Sequence, residues 1–297
     1  MPPDPFGRAP APQPALPRFD LEQVLAASEV PWEDLRGRRL FMTGATGFFG
    51  RWMLESLLAA NQRFGLQAEV IALSRDPERF WRIAPHLALQ RGLTWMRGSV
   101  AALAPEALRD SRCDFALHLA TEADLAATTA NPAASLEVIA GGTRRALAAA
   151  AAAGARRFLF ASSGIAYGRQ PSGMERTPEG VLGEAGPAAP SDRGYLIGGE
   201  AKRRAELACA EYSRGDFVPV VARCFTFAGP AQPLAGKFAF GNFLADALAG
   251  RTVVVEGDGT PVRSYLYAAD LAIWLWTLLL RGRSGRPYNV GAEEALS

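Results

Sequence analysis

The alternation of apolar and polar positions divides most of this chain into short buried strands and longer one-sided helices. Compact apolar runs, typical of strands that are covered on both faces, lie at 40–43, 69–73, 94–97, 115–119, 157–161 and 218–223. Segments with helical periodicity lie at 51–61, 132–153 and from about 195 to 214. Strands that alternate with such helices predict an α/β fold, a doubly wound parallel sheet with helices on both faces.

A glycine-rich stretch, TGATGFFG at 43–50, follows the first predicted strand and precedes the first long helix. Strand, glycine turn and helix in this order direct the N–H groups of a helix start at a pyrophosphate. We expect Gly44 to allow the tight turn, Gly47 to let the phosphates approach, and Gly50 to let the helix pack on the strand. The loop therefore predicts a dinucleotide site in a Rossmann-like fold. The expected contacts are Gly44, Thr46, Gly47, Phe48, Phe49 and Gly50.

The end of the second predicted strand bears on the choice of cofactor. In a dinucleotide fold an acidic residue here binds the ribose 2′-hydroxyl of NAD, whereas an arginine accommodates the 2′-phosphate of NADP. Ser74 followed by Arg75 favours NADP. Asp76 would serve NAD if the turn shifts, and an exposed turn without any cofactor contact is the plain alternative. NAD or NADP is therefore the expected cofactor, with NADP preferred.

The same pattern predicts how the chain is organised. Residues 1–19 are rich in proline and poor in apolar anchors, so we expect a disordered tail before a short helix that Asp20 caps. Residues 20–170 are predicted to form the NAD(P)-binding Rossmann region. Residues 171–297 form a mixed region, in which 195–228 completes the core and the glycine- and proline-rich remainder makes a small substrate lobe over the carboxyl edge of the sheet.

Composition and charge narrow the class of protein. With 297 residues, 49% hydrophobic and 21% charged, the chain can bury a large core. A formal net charge of +2, with scattered Lys and Arg, argues against a nucleic-acid partner. Three separated cysteines indicate a reducing cytoplasm, and two histidines leave little scope for a metal site. The longest apolar stretch, 271–280, predicts a buried helix rather than a membrane span, and no signal peptide is recognisable, so we expect a soluble cytoplasmic protein.

Further candidate residues follow the fourth and fifth predicted strands. The small residues Ala120 and Thr121 would let a cofactor approach the backbone, while His118 is predicted to be a structural hydrogen-bonding residue. Ser163 follows the fifth strand, where a hydroxyl can hydrogen-bond a substrate oxygen, although a pair of serines also occurs in plain turns. Lys202 lies on a predicted helix, where a lysine is by default solvated.

Together these segments resemble the extended short-chain dehydrogenase/reductase superfamily, in its NAD-dependent epimerase/dehydratase branch that acts on nucleotide-sugars. The resemblance covers roughly residue 35 to the C-terminus. It rests on the order and spacing of TGATGFFG (43–50), HLAT (118–121), SSGIAYG (162–168), the helix with Lys202, ARCFTFAGP (222–230), GDGTPVRSYLYAAD (257–270) and YNVG (288–291).

The resemblance implies roles for particular residues. Ser163 would bind the C4 oxygen of the sugar, Lys202 the nicotinamide ribose, and Arg263 the substrate diphosphate, which suits a bidentate guanidinium. In such enzymes a tyrosinate removes the sugar hydroxyl proton while hydride passes to the nicotinamide, and the keto intermediate is epimerised, dehydrated or decarboxylated. Asp270 would hold the start of the helix that follows. Further contacts implied for the cofactor and substrate are Leu119, Ala120, Thr121, Ala161, Thr226 and Asn242.

The chain departs from the family at the acid–base residue. The family has a tyrosine four residues before the lysine, where the cation lowers the pKa of the phenol; here that position is Gly198. Tyr195 lies two turns before Lys202, about 10 Å along the helix axis, and a helix distorted at its glycines would turn Tyr195 inward. Tyr167 is a weaker substitute. Without a working tyrosine the rate falls by about 10²–10⁴-fold, and the chain binds without efficient turnover.

Other departures bear on the type of reaction. Gly164 and Ile165 stand where the 4,6-dehydratases of the family carry an Asp-Glu pair, which favours epimerisation over loss of water. Ser99 replaces a frequent adenine-binding Asp, and Ile139 replaces a frequent Asn. The chain ends soon after YNVG, whereas relatives usually continue, so we expect either a shortened lobe or a truncated sequence.

The combined hypothesis is an NAD(P)-dependent nucleotide-sugar epimerase that acts through transient C4 oxidation of an NDP-hexose. The alternatives are a dehydratase or decarboxylase of the same family, and a catalytically weak protein that binds NAD(P) and nucleotide-sugars, because Gly198 replaces the usual tyrosine. A reductase that consumes NADPH rests on Arg75 alone. We expect the helices at 132–153 and 195–214 to pair across a twofold axis in a homodimer.

Overall fold

The centre of the molecule is a seven-stranded parallel sheet with the order β3-β2-β1-β4-β5-β6-β9. It is seen in a computed structural model that describes residues 12–121, 125–171, 173–180, 193–234, 239–255 and 257–296. A second, two-stranded sheet pairs β7 with β8. The strands are β1 Arg39–Thr43, β2 Glu69–Ser74, β3 Leu93–Arg97, β4 Phe115–His118, β5 Arg157–Ser163, β6 Val218–Cys224, β7 Thr226–Ala228, β8 Tyr265–Tyr267 and β9 Pro287–Val290.

Helices connect the strands and cover both faces of the sheet. The α-helices are α1 Arg18–Ala26, α2 Phe48–Phe64, α3 Pro77–Ile83, α4 Leu125–Ala130, α5 Pro132–Leu136, α6 Gly142–Ala152, α7 Arg193–Tyr212, α8 Ala239–Leu248 and α9 Ala268–Arg281. A π-helical turn, Glu137–Gly141, joins α5 to α6. Single-turn or short 3₁₀ segments are Trp32–Leu35, Pro85–Leu87, Val100–Ala102, Pro105–Ser111 and Gly164–Tyr167.

Two hydrophobic layers hold these helices on the sheet. One layer joins α1, α2 and α9 to the sheet through large buried side chains such as Trp52 and Trp276. The opposite layer joins α6 and α7 to the sheet around Phe158 and Phe160, with small alanines on the helix side. Alternate residues of each strand therefore enter opposite layers, which is why the strands read as continuous apolar runs. The doubly wound parallel sheet predicted from the sequence is confirmed.

The boundary between core and lobe differs from the prediction. β9 pairs in parallel with β6 as the seventh strand, and α9 packs in the same layer as α2. Residues 268–290 therefore belong to the core, although the sequence placed them in the substrate lobe. The reason is pairing over a long sequence distance, because Cys224 lies opposite Val290 in a register that no local pattern encodes. Of the predicted substrate lobe, the structure describes β7, β8 and α8 as elements outside the core.

The N-terminal part also differs from the prediction. The expected tail lies outside the described residues at 1–11, but residues 12–19 pack on the molecule, with Leu16 only 4% exposed. Helix α1 begins at Arg18, with Pro17 at its N-cap, and Asp20 lies inside the first turn. Asp20 is therefore not the capping residue. Within the described ranges, no helix has the length and apolar character needed to cross a bilayer.

Candidate active site

The candidate site lies where the strand order of the sheet reverses. β1 continues outward to β2 and β3 on one side, whereas β4 and β5 lie on its other side. The carboxyl ends of β1 and β4 therefore open a crevice, which is where open α/β sheets bind ligands. The glycine loop follows β1, and the segment Leu119–Ala120–Thr121 follows β4. The structure thus brings these two predicted cofactor segments together.

The glycine loop is packed too tightly for side chains at two of its glycines. Gly44 has a φ of +72°, and a Cβ there would lie 2.5 Å from the backbone of Leu119 and Ala120. A Cβ at Gly50 would lie 2.2 Å from the carbonyl oxygen of Gly44. At Gly47 the nearest atom would be 3.4 Å away, so this position is open. These three environments agree with the roles expected for a tight turn, close packing and an open face.

Helix α2 begins at this open face without a capping side chain. Gly47 is its N-cap, and no side chain among the described residues caps it. The first N–H groups of a helix need partners and attract anions. Thr46 beside them is exposed, Phe48 is half-buried, and Phe49 packs edge-on against Phe227 at 5.1 Å. A cradle that only glycine fits and an uncapped helix start suit a pyrophosphate, so the residues present fit a dinucleotide.

A chain of hydrogen bonds fixes the backbone beside this loop. The Ala120 N–H donates to Thr43 Oγ1, which lies 2.7 Å from His118 Nδ1. On the other side, His118 Nε2 lies 3.1 Å from Thr143 Oγ1, whose hydroxyl donates to the Ile139 carbonyl. The directions are consistent with a neutral imidazole that donates from Nε2.

His118 is therefore structural, as the sequence indicated. Burial, together with the charge of Lys202, lowers the pKa of His118 to about 3. The side chain is 1% exposed and its ring stacks on Phe160. A neutral histidine with both nitrogens engaged holds β4 to β1 and to the start of α6, and it takes no proton at neutral pH.

After β2, the two residues considered for cofactor choice, Arg75 and Asp76, differ in their contacts. Ser74 is buried and its Oγ accepts a hydrogen bond from the Asp76 N–H at 3.3 Å. The Asp76 carboxylate accepts from the Arg79 N–H at 3.0 Å and caps α3. Arg75 is exposed, and its side chain has no hydrogen-bond or ion-pair partner in the described part of the chain. Asp76 is therefore engaged as a helix cap, whereas Arg75 is available to a ligand.

Lys202 is buried and turned toward the sheet. Its Nζ donates to the Ala161 carbonyl at 2.8 Å and lies 4.8 Å from the centre of the Phe160 ring. Only 4% of the residue is exposed, so the expected default of a solvated lysine does not apply. Burial lowers the pKa of Lys202 to about 8. An ammonium has three donors, and among the described residues a single acceptor is in reach, so the others remain for a ligand.

Ser163 ends β5, two residues beyond the Ala161 carbonyl that Lys202 binds. By strand alternation its side chain points to the same face as Ala161, whereas Lys202 reaches the carbonyl from the face of Phe160. Ser163 is half-buried, and its Oγ accepts from the Ile165 N–H at 3.3 Å. The hydroxyl hydrogen is thus free to be donated to a substrate oxygen. Ser163, Ala161 and Lys202 form one cluster at the carboxyl end of β5.

Gly198 and Gly199 let α7 approach the turn Gly164–Tyr167. A Cβ at Gly199 would lie 2.5 Å from the Ile165 carbonyl oxygen, and a Cβ at Gly198 would lie 3.1 Å from Ile165 Cδ1. α7 runs through both glycines as an unbroken helix, so the expected distortion is absent. The glycines serve close packing instead, and the tip of Ile165 lies at the position from which the missing tyrosine would extend.

The structure does not bring Tyr195 to Lys202. Tyr195 lies in the first turn of α7 and is 51% exposed. Helical side chains lean toward the helix N-terminus, so its phenol points further from Lys202, whose Cα lies about 10 Å along the axis. Tyr167 is buried, and its hydroxyl donates to Asn289 at 2.6 Å. Neither tyrosine is free beside the lysine.

The predicted substrate residues lie on the second sheet and the segments around it. Thr226 of β7 pairs with Tyr265 of β8, which brings it near the chain that leads from Arg263. Arg263 is exposed, and its backbone forms an antiparallel bridge with Leu296. Asn242 is half-buried on α8. The structure thus joins Thr226 to the Arg263 segment.

A buried ion pair beneath the site was not singled out in the sequence. Arg223 and Glu206 are 2.6 Å apart, and their side chains are 5% and 12% exposed. Glu206 also accepts a hydrogen bond from Ser162, and the Arg223 guanidinium lies over the Tyr167 ring at 4.3 Å. The available signal was the spacing of Glu206, one helical turn after Lys202 on α7. The pair anchors α7 to β6, and the Ser162 bond anchors it to β5, so both support the helix that carries Lys202.

Similarity to known proteins extends over most of the chain. The model of the NAD dependent epimerase/dehydratase family matches residues 40–291. UDP-glucuronic acid decarboxylase 1 of Arabidopsis thaliana is 29% identical over 255 residues, which are 85% of this chain and 54% of that protein. The chain therefore spans about half the length of this curated relative.

Solved structures share the fold. The UDP-glucose 4-epimerase of Thermotoga maritima, with UDP-glucose, has a TM-score of 0.69 and 24% identity, over 86% of this chain and 78% of that one. The dTDP-glucose 4,6-dehydratase of Streptomyces venezuelae, with NAD bound, has a TM-score of 0.70 and 24% identity, over 87% of this chain and 77% of that one. With its glycine cradle and a family match over 40–291, the chain belongs to the NAD-dependent epimerase/dehydratase family.

Proposed function

We propose that this protein is an NAD(P)-dependent nucleotide-sugar epimerase that acts through transient oxidation at C4 of an NDP-hexose. The observation that carries the proposal is the cluster of Ser163, Ala161 and Lys202 at the carboxyl end of β5, on the same sheet edge as the glycine cradle. When bound, the nicotinamide would supply reversible hydride chemistry at the sugar carbon. The chain supplies the groups that bind and orient both molecules.

Each proposed contact suits the chemistry of its residue. The Ser163 hydroxyl would donate to the reacting sugar oxygen, and the remaining donors of Lys202 would hold the nicotinamide ribose. Arg263 would pair with the substrate diphosphate, with Thr226 and Asn242 on the same side. The cofactor would lie along the glycine loop from Gly44 to Gly50 and against the segment after β4, which includes Leu119, Ala120 and Thr121.

Epimerisation fits the turn after Ser163 better than dehydration does. A Cβ at Gly164 would lie 2.8 Å from the Phe225 ring, so an acidic side chain there needs that ring to move. Ile165 is apolar and directed at Gly198. The turn thus offers no acid or base for loss of water. Decarboxylation, the activity in the name of the Arabidopsis relative, remains the alternative because it needs no acidic pair at these positions.

A second candidate is a catalytically weak protein that binds NAD(P) and a nucleotide-sugar. The specific observation in its favour is Gly198, with Ile165 Cδ1 only 3.1 Å from where a Cβ would stand. The proton of the sugar hydroxyl then has no phenolate to accept it. Lys202 is the one remaining ionisable group of the described cluster at the end of β5.

One experiment separates the two candidates. Purified protein is incubated with NAD or NADP and with UDP-, dTDP-, GDP- and CDP-hexoses, and products are followed by NMR while cofactor affinity is measured by titration. The enzyme proposal expects inversion at C4 of one sugar without net loss of cofactor. Cofactor binding without conversion of any sugar would favour the binding protein. A product that has lost water or carbon dioxide would replace epimerisation by one of the family's other reactions.

NADP is the cofactor we propose as preferred. Asp76 caps α3 through its carboxylate, so it is not free for the ribose of NAD, whereas the Arg75 guanidinium is exposed and unpaired among the described residues. An arginine at this place suits a 2′-phosphate. The same titrations test this choice, because tighter binding of NAD than of NADP would refute it.

A homodimer is the proposed assembly. A groove of about 480 Å³ lies between α5–α6 and α7. Its lining is largely apolar, and Leu207 of α7 is 58% exposed beside it. A second copy related by a twofold axis would cover this surface with the same helices. The three buried free thiols support a proposed cytoplasmic location, since thiols persist in a reducing compartment.

A further inference from the structure

The N-terminal strap, residues 12–26, is a part of this fold that the family match does not include. The match begins at residue 40, whereas the strap packs against both α2 and α9. Leu16 and Val24 are 4% and 0% exposed and belong to the same hydrophobic layer as these two helices. The strap is therefore integral to the core layer behind the glycine loop.

The first anchor of the strap is a buried ion pair on α2. Arg51 and Glu55 are 2.7 Å apart, and each side chain is 4% exposed. The strap adds bonds to this pair, because the Leu16 N–H donates to Glu55 at 2.7 Å and Arg51 donates to the Gln13 side chain at 2.6 Å. From outside the strap, His86 Nε2 also lies 3.0 Å from Glu55. A buried pair is stable only when such extra bonds are present. The strap and the first turns of α2 therefore depend on each other.

The second anchor joins the strap to the second sheet. Asp20 is 6% exposed, and the Tyr267 hydroxyl donates to its carboxylate at 2.8 Å. Tyr267 is 39% exposed, but partial burial and then this hydrogen bond raise its pKa to about 12, so the phenol remains a donor. Tyr267 ends β8 and precedes α9, and its ring lies 6.3 Å from the ring of Trp52 on α2.

The two anchors lie on the two halves of the proposed site. Arg51 is in the turn of α2 that starts at the glycine loop, where its N–H donates to the Gly47 carbonyl. Tyr267 closes the strand that follows Arg263, the proposed diphosphate ligand. Trp52 adds a direct link, since its indole N–H donates to the Pro230 carbonyl at 3.0 Å. A shift of the strap would thus displace residues on both sides of the crevice.

We propose that the N-terminal strap positions the start of α2 relative to β8, with Asp20 as a positioning residue that acts through Tyr267. The strap then controls how well the crevice holds a dinucleotide together with a nucleoside diphosphate. Only the identity of these ligands rests on the proposed function. The positioning of α2 relative to β8 is a property of the free protein.

The first arm of the test is hydrogen exchange in the free protein. Asp20→Ala and Tyr267→Phe each remove the same hydrogen bond, so we expect the amides of residues 51–54 and of β8 to exchange about tenfold faster in either variant than in wild type. The double variant should exchange no faster than either single variant. Asp20→Asn keeps an acceptor and should stay near wild type. Glu22→Ala, an exposed position of α1 paired with Arg18, is the control. Amides of β5 and α6 should be unchanged.

The second arm measures binding of NAD, NADP, UDP and dTDP by titration calorimetry. Asp20→Ala and Tyr267→Phe should weaken those nucleotides that the wild type binds, by about tenfold, while Asp20→Asn and Glu22→Ala should not. Unchanged exchange in 51–54 and β8, or equal acceleration throughout the core sheet, would overturn the strap proposal. If the wild type binds none of the four nucleotides, the proposed function fails, and the exchange arm still decides on the strap.

Discussion

Lys202 shows at the scale of one residue how burial changes the chemistry of a side chain. Its amine has lost water on all sides and gained one carbonyl, from Ala161, and the ring face of Phe160. Two buried cysteines lie nearby, and burial raises the pKa of Cys224 to about 12, so no thiolate balances the charge at neutral pH. Burial of the Lys202 ammonium therefore destabilises the free protein, and a bound ligand that accepts its hydrogen bonds would reduce this destabilisation.

This cost predicts a dependence of stability on pH. The folded-state pKa of Lys202 is about 8 against 10.5 for the ordinary amine, so between these values the unfolded chain holds more protons and the free energy of unfolding rises with pH. Wild type should therefore gain up to roughly 3 kcal/mol relative to Lys202→Met as pH rises from 8 to 10.5, whereas below pH 8 the difference should not change with pH. Denaturant unfolding of nucleotide-free protein from pH 7 to 10 measures the difference.

The matched control is Arg204→Met on the same helix, whose exposed guanidinium pairs with Glu200. The buried thiols weaken both proteins above pH 9, and the charge of Lys202 lowers their pKa in the wild type alone, so the comparison is clearest between pH 8 and 9. A pH-independent difference between wild type and Lys202→Met would show that the lysine is not desolvated in solution.

At the scale of the element, the packing of α7 on the turn Gly164–Tyr167 bears on the proposed acid–base role. The glycine pair at 198 and 199 lets the helix lie against Ile165, and the helix remains regular. A tyrosine at position 198 would lie one turn from Lys202 only if the helix were regular, and α7 is regular there. The phenol alone is missing, and its only close neighbour within the described residues would be the flexible end of Ile165.

Gly198→Tyr should therefore fold and install a phenol beside the lysine. The charge of Lys202 should lower the pKa of this new phenol below that of a free tyrosine, which an ultraviolet titration against wild type would detect. Turnover of the sugar that the wild type binds should rise by about 10²–10⁴-fold if the missing base limits the rate. Ile165→Ala in the same chain should make room and increase the effect.

Gly198→Phe is the control, with the same ring but no hydroxyl. Equal behaviour of the Tyr and Phe variants would mean that position 198 does not face the reacting hydroxyl. It would also remove the absence of tyrosine as the reason for weak catalysis.

At the scale of the whole molecule, one reversal in strand order gathers the site. The segments after β1, β4 and β5 come from distant parts of the chain and meet at one edge of the sheet. A groove with exposed Leu207 beside it lies along α5–α6 and α7. Because α7 bears Lys202 on its inner face, an interface on its outer face would stiffen the helix that holds the site.

The assembly can be tested by light scattering. We expect wild type at micromolar concentration to have twice the chain mass of 31.7 kDa, and Leu207→Glu to be monomeric, since a charge at the centre of an apolar contact is not solvated. Leu89→Glu changes an even more exposed leucine, 96% accessible, far from the groove in sequence and should remain dimeric. A monomeric wild type, or a dimeric Leu207→Glu variant, would contradict this interface.

By itself the sequence determined the parallel α/β sheet, the glycine cradle and the family, because apolar runs, helical periodicity and glycine spacing are local. It also showed that Gly198 stands where the family has a tyrosine, because this position is fixed by its spacing from Lys202. Only the tertiary structure decided that β9 and α9 belong to the core, that Asp76 caps α3, and that residues 12–26 pack against α2 and α9. These depend on which distant segments meet, and pairing of Asp20 with Tyr267 or of Cys224 with Val290 leaves no local pattern.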